Sequence, residues 1–321
     1  MNGIGLRGRL APSPTGAQHL GNARTYLLAW LAARQQQGQL VLRIEDLDSP
    51  RVKSWASEQA VADLRWLGLD WDEGPDVGGG FSPYVQSLRT ETYDAALQTL
   101  METDFVYPCD CSRTDVTEAA SAPHLGHEPP RYAGTCANWR QGDPLPEEGT
   151  YCWRFRCPSS LVKFDDQMAG ARSSDPAHEL GDFPVSRKTG EAAYQLAVVV
   201  DEFHMSVNHV VRGDDLLPSA IRQILLQRAL GYPTPTYSHV PLVVGTDGRR
   251  LAKRHGDTRL SQYRSRGVAS ERIVGLLAWS AGLIDNLHPV TPIELVGTLD
   301  WSVIPREPFV LAPELDRWLL T

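Results

Sequence analysis

Long apolar runs are missing from this 321-residue chain, and nothing in it approaches the ~20 apolar residues that cross a bilayer. The opening Met1-Asn2-Gly3-Ile4 also lacks a basic stretch followed by an apolar one, so no export signal is read and a cytoplasmic protein with no membrane partner is expected. Cysteine is scarce: the five residues are odd in number and all lie between positions 109 and 157, which excludes a secreted disulfide framework and points to a metal. Bases are outnumbered, 31 Lys and Arg against 39 Asp and Glu, and the net charge of −8 excludes a whole-surface wrap around nucleic acid. No internal repeat and no low-complexity tract interrupts the chain.

What is present fits an ordinary enzyme. The composition is 42% hydrophobic and 22% charged, and the length supports two domains or one large domain with an insertion. One segment reverses the overall charge. Residues 249–272 carry eight bases, Arg249, Arg250, Lys253, Arg254, Arg259, Arg264, Arg266 and Arg272, against Asp257 and Glu271, so a polyanion would meet the protein here.

The first fifty residues read as strand, loop, helix, strand. An apolar stretch at 6–10 precedes the loop Ala11-Pro12-Ser13-Pro14-Thr15-Gly16; Ala23, Tyr26, Leu27, Trp30 and Leu31 then recur at helical spacing before a second apolar run at 40–44. Such a βαβ unit implies a parallel sheet that binds ligands at the carboxyl ends of its strands, where this loop and the acidic run Glu45-Asp46-Leu47-Asp48 would lie. Helices are expected at 54–67, with Trp55, Leu64 and Leu67 in the core, and at 85–102, with Tyr93, Leu97 and Leu100. Between 106 and 190 the texture changes to Cys, Pro, Gly and short apolar runs, as an inserted module would. Strands are expected to resume at Leu196-Ala197-Val198-Val199-Val200 and at 207–211, followed by a helix at 218–230 and a strand at 240–244. The remainder is helical by pattern, with Ile273, Leu276, Leu277 and Trp279 on one stripe.

Three sets of residues carry chemistry. His19-Leu20-Gly21-Asn22 sits at the start of the first helix, where unpaired N–H groups and the positive end of the dipole suit a phosphate and a glycine admits a nucleotide; a capping His19 and a turn at Gly21 are the plainer reading. The basic loop Arg250-Leu251-Ala252-Lys253-Arg254 follows the turn Gly245-Thr246-Asp247-Gly248 and could neutralise charge on a leaving pyrophosphate. Cys109-Asp110-Cys111 and Tyr132-Ala133-Gly134-Thr135-Cys136 offer three thiolates, a set that favours zinc. His124, His127, Cys152 or Tyr132 could be the fourth ligand, and geometry alone prefers a His or Cys.

The first two sets resemble the HIGH and KMSKS motifs of class I aminoacyl-tRNA synthetases. The flanks Arg9-Leu10-Ala11-Pro12-Ser13-Pro14-Thr15-Gly16, Arg43-Ile44-Glu45-Asp46-Leu47-Asp48 and Val211-Arg212-Gly213-Asp214-Asp215-Leu216-Leu217 resemble the glutamyl branch over most of residues 7–260. Tyr107-Pro108-Cys109-Asp110-Cys111-Ser112-Arg113 with the later Tyr-x-x-x-Cys is similar to the zinc module of its shorter glutamyl-Q members, in which that Tyr is a ligand. The resemblance implies an α/β fold, a Rossmann-like catalytic domain on a parallel sheet. Its two halves would span 1–105 and 191–245, with a zinc-containing insert at 106–190. A KMSKS-like loop and short helical, stem-contact-like region would fill 246–321, with no anticodon-binding domain.

For the site, the resemblance implies His19, Gly21, Asn22 and Lys253 on ATP with its Mg2+, His19 and Lys253 being catalytic. It implies Arg9, Ala11, Ser13, Glu45, Tyr194 and Arg212 on L-glutamate, and Cys109, Cys111, Tyr132 and Cys136 on one structural zinc. Two arginines for two carboxylates and a glutamate for the ammonium is also what the substrate's charges ask for. Cys152 and Cys157 fall outside the pattern and are read as structural. The implied reaction forms glutamyl-adenylate and transfers the glutamyl group to queuosine in the anticodon of tRNA(Asp), with a monomer expected. A glutamyl-tRNA synthetase charging the 3′ end of tRNA(Glu), and a non-catalytic paralogue that only binds tRNA or protein, are the alternatives. Two departures bear on them: Asn22 stands where the first motif has its second His, and Ala252 stands where the second has Ser, losing a hydroxyl.

Overall fold

Strand β1 (Arg7–Leu10) runs parallel to β2 (Gln39–Leu42), with Arg9 opposite Val41, and helix α1 (Leu20–Arg34) makes the crossover. The computed structural model describes residues 5–47, 51–112, 114–116, 131–249, 251 and 258–320. Helix α1 is apolar almost all round because it is covered on two sides, by the sheet and by the C-terminal helices. After it come α2 (Ala56–Trp66), α3 (Thr90–Glu102), β3 (Val106–Cys109) and β4 (Cys152–Phe155), then the hairpin β5 (Val162–Asp166) and β6 (Gly170–Ser174). The short α4 (Pro176–Glu179) and β7 (Phe183–Pro184) lead to α5 (Tyr194–His204), β8 (His209–Gly213), α6 (Leu217–Leu230), β9 (Thr236–Val240) and β10 (Val243–Val244). The chain closes with α7 (Leu260–Ser265), α8 (Ser270–Ser280), β11 (Phe309–Val310) and α9 (Pro313–Leu320).

The larger sheet has the order β6-β5-β9-β8, with β8 and β5 parallel to β9 and β6 antiparallel to β5. Strand β1 lies along β8: the Asn208 N–H donates to the Arg7 carbonyl at 3.0 Å, and Arg9 Nη1 donates to the Val211 carbonyl at 2.8 Å. The parallel βαβ architecture expected from the sequence is therefore present, and the loop after β1 opens beside the end of β8. A separate antiparallel sheet, β3-β4-β7, carries Cys109 and Cys152. The β5–β6 hairpin falls within the residues read as an insert, yet Asp166 pairs with Tyr237 and joins it to the larger sheet.

Three expectations are corrected. Residues 196–200 form the middle of helix α5, not a strand; all five are buried on that helix. A continuous apolar run does not distinguish a strand from a fully buried helix, and tertiary packing overrides the strand preference of valine. The strand expected at 240–244 is broken at Pro241, which has no N–H to continue a ladder, so β9 ends at Val240 and Val243–Val244 pairs with β11 instead. Trp55 is exposed because it precedes the first turn of α2, whereas Leu64, Leu67, Tyr93, Leu97 and Leu100 are buried as expected. Ile273, Leu276 and Leu277 of α8 are buried in the same core as α1, with Trp279 half-buried at its edge. Among the described residues, no helix is long and apolar enough to cross a membrane.

Candidate active site

Helix α1 begins with a self-contained cap. The His19 Nδ1 accepts the Gly21 N–H at 3.2 Å and the Asn22 carboxamide oxygen accepts the His19 N–H at 3.4 Å, closing a capping box. The ring proton of a neutral His19 is then on Nε2. Gly21 leaves this ring its place, because a Cβ there would come within 3.1 Å of His19 Cε1 and the ring would have to give by a few tenths of an ångström. No acid occupies the first turn, so the positive end of the helix dipole is left for an anion. His19 thus meets the plainer capping expectation and also lines a cavity.

That cavity, of about 440 Å³, brings together every described residue expected at the substrate sites: Arg9, Ala11, Ser13, His19, Gly21, Asn22, Glu45, Tyr194 and Arg212. Arg9 sits one residue before the end of β1 and Arg212 one before the end of β8, while the Glu45 N–H donates to the Pro12 carbonyl at 3.1 Å. Tyr194 opens α5 with its ring exposed at the cavity. Lys253, Arg250, Ala252 and Arg254 lie outside the described residues, as do Asp48, Arg113, His124 and His127. Leu251, the described residue of the basic loop, and Thr258 on its far flank are buried. The Thr258 carbonyl accepts the Leu20 N–H at 3.2 Å and the Leu260 N–H donates to the Gln18 carbonyl at 2.9 Å, so that flank is stitched to the His19 segment.

Beneath the cavity lies a buried charge network whose supporting members the sequence did not reveal. Arg43 donates to Glu45 at 2.8 Å and lies 3.6 Å from Asp201. Asp201 also accepts from Arg89 at 2.7 Å, from Gln86 at 2.8 Å and from the Tyr93 hydroxyl at 3.0 Å. Glu202 is buried 3.5 Å from Arg9 Nε, with neither oxygen hydrogen-bonded. Burial raises the Glu202 pKa and lowers that of Arg9, whereas in Arg43 the effect of burial is outweighed by Glu45, Asp201 and Glu202, which raise it. Asp201 and Glu202 directly follow the run misread as a strand. Read as a helix that starts at Tyr194, the same stretch would have signalled acids near the site.

The metal candidates also converge. Cys109 ends β3, and the sulfurs of Cys109, Cys111 and Cys136 lie within 4.8 Å of one another. The Tyr132 oxygen is 3.4 Å from Cys109 Sγ and 3.6 Å from Cys111 Sγ, and Cys111 and Cys136 sulfurs are 3.6 Å apart. Tetrahedral zinc with Zn–S bonds of ~2.3 Å spaces its sulfurs at ~3.8 Å, so the donor set fits that ion. Tyr132 is held by the Cys136 N–H, which donates to its oxygen at 2.8 Å, and by the Arg154 guanidinium 4.0 Å above its ring. Cys152, paired across the strands with Cys109, hydrogen-bonds the Cys109 sulfur but is not one of the three sulfurs that lie within 4.8 Å of one another; Cys157 donates to the Gly181 carbonyl at 3.1 Å, with burial pushing its thiol up to about 12.

Comparison with known proteins gives this constellation a family. Residues 5–287 match the family model described as tRNA synthetases class I (E and Q), catalytic domain. The chain belongs to this class I tRNA synthetase family. A Rhodopirellula baltica protein named glutamyl-Q tRNA(Asp) synthetase is 50% identical over 94% of this chain and 95% of its own length. A Symbiobacterium thermophilum protein of the same name is 51% identical over 96% and 97%. The crystal structure of glutamate-tRNA synthetase from Elizabethkingia anophelis superposes with a TM-score of 0.84 at 28% identity, covering 98% of this chain and 70% of that one.

Proposed function

We propose that the protein uses ATP to convert L-glutamate to glutamyl-adenylate and passes the glutamyl group to queuosine in the anticodon of tRNA(Asp). The observation that carries this reading is the one cavity lined by every described residue expected on glutamate or ATP, in a chain that aligns nearly end to end with relatives named for that reaction. Arg9 and Arg212 hold the two substrate carboxylates and Glu45 holds the ammonium, while Ala11, Ser13 and Tyr194 shape the walls. The amino end of α1, with His19, Gly21 and Asn22, holds the nucleotide phosphates. A carboxylate oxygen of glutamate attacks the α-phosphorus; the bond from that phosphorus to the bridging oxygen breaks, and its electron pair leaves with pyrophosphate. Lys253 offsets the charge that develops there, and no protein nucleophile takes part. Magnesium bound with ATP would add positive charge to the same phosphates. Cys109, Cys111, Tyr132 and Cys136 would hold a structural zinc.

The reading predicts glutamate-dependent exchange of labelled pyrophosphate into ATP with no RNA present. A flat trace from well-folded protein would favour the paralogue that only binds.

A further inference from the structure

The arginine at the end of β8 is held from behind by a network that has one consistent arrangement of protons. The Asp166 Oδ1 accepts three backbone N–H groups, from Ala169 at 2.7 Å, Met168 at 2.9 Å and His239 at 3.2 Å, and its Oδ2 lies 2.5 Å from His239 Nδ1. On the other side of that imidazole, Arg212 Nε donates to His239 Nε2 at 2.9 Å. Arginine can only donate, so Nε2 must carry a lone pair and the ring proton must sit on Nδ1, facing the carboxylate. A protonated imidazole, or the other neutral tautomer, would set two donors against each other. Arg212 Nη1 is taken by Gln223 Oε1 at 2.7 Å, and Gln223 is itself fixed by Gln195 at 3.1 Å. Arg212 Nη2 is buried with no hydrogen-bond partner, on a residue that lines the cavity.

We infer that Asp166 and His239 are positioning residues for the amino-acid substrate: by fixing the imidazole tautomer they set the plane in which Arg212 offers its remaining N–H groups to a carboxylate. The inference rests on the proposed glutamate site and deepens it. It assigns a role to the β5–β6 hairpin, whose Asp166 reaches the substrate arginine through one imidazole.

The test is Asp166→Asn. The backbone amides keep the Asn oxygen, its NH2 faces His239 Nδ1, and the ring proton is driven to Nε2 against Arg212. Glutamate KM in pyrophosphate exchange should rise about tenfold or more, with ATP KM within about twofold of the parent. Adding His239→Gln, whose amide oxygen can accept from Arg212 without help from Asp166, should return glutamate KM toward the parent value. In 15N spectra His239 should appear as the Nδ1–H tautomer in the parent and invert in Asp166→Asn, a readout independent of any reaction. Unchanged glutamate KM in Asp166→Asn, an equal rise in both KM values without rescue, or an Nε2–H tautomer in the parent would overturn the inference. A parent protein with the Nδ1–H tautomer but no glutamate-dependent exchange would instead remove the substrate reading and leave the proton arrangement standing.

Discussion

At the scale of single residues, Gly21 separates stability from function. In an exposed helix position Gly→Ala gains ~0.5–1 kcal/mol, yet here the new Cβ would displace the His19 ring that caps the helix and lines the cavity. The disturbed cap, worth about 1 kcal/mol, offsets that gain, so Gly21→Ala is expected to leave the urea midpoint close to the parent's while lowering kcat/KM for ATP by roughly tenfold. Arg9→Ala leaves Glu202 buried without the cation 3.5 Å away, with Arg43 and Arg212 left to act on it. It also removes the proposed partner of a substrate carboxylate and should lower glutamate-dependent exchange by roughly a hundredfold, within the about 2–5 kcal/mol typical of truncating one side of a charge pair buried on binding. His209 provides a pH signature. Burial, and next the Arg9 charge, hold its pKa down to about 4, and its Nε2 lies 3.1 Å from both Gln167 Oε1 and Ser238 Oγ. The unfolded chain takes up a proton near pH 6.5 and the folded one near 4, so stability is lost as pH falls through that interval, by about 3 kcal/mol. Urea unfolding of His209→Gln should show a shallower loss between pH 7 and 4.

At the scale of elements, sequence reasoning succeeded where spacing has one physical meaning and failed where it has two. The loop after β1, the capped start of α1 and the ends of β1 and β8 were readable because a βαβ unit forces its loops to the carboxyl edge. Residues 196–200 were not, since five consecutive apolar residues fit either a strand or a helix buried on all sides. That misreading hid Asp201 and Glu202. Asp166 and His239 were unreadable for another reason: their contact joins residues 73 apart in sequence, through a hairpin read as part of the insert. If α5 is the buried helix described, Leu196→Ala should cost about 2–5 kcal/mol in urea unfolding, as for other buried leucines. The zinc module is tested by elemental analysis of Cys109→Ser, where bound zinc should fall; unchanged stoichiometry would count against the site.

At the scale of the whole molecule, a net charge of −8 coexists with a basic segment at 249–272. A polyanion would be drawn to such a local excess of base and repelled by the acidic remainder. Reversing Arg249 and Arg266 together, both exposed, should weaken tRNA binding and flatten its dependence on salt while leaving RNA-free pyrophosphate exchange unchanged. Chemistry in the cavity and recognition of the acceptor are thereby separable. The acceptor is decided most directly by digesting the glutamylated RNA and identifying the nucleoside that carries glutamate. Glutamyl-queuosine from tRNA(Asp), surviving removal of the terminal adenosine, is the predicted product; glutamate on the 3′ ribose of tRNA(Glu) would contradict it.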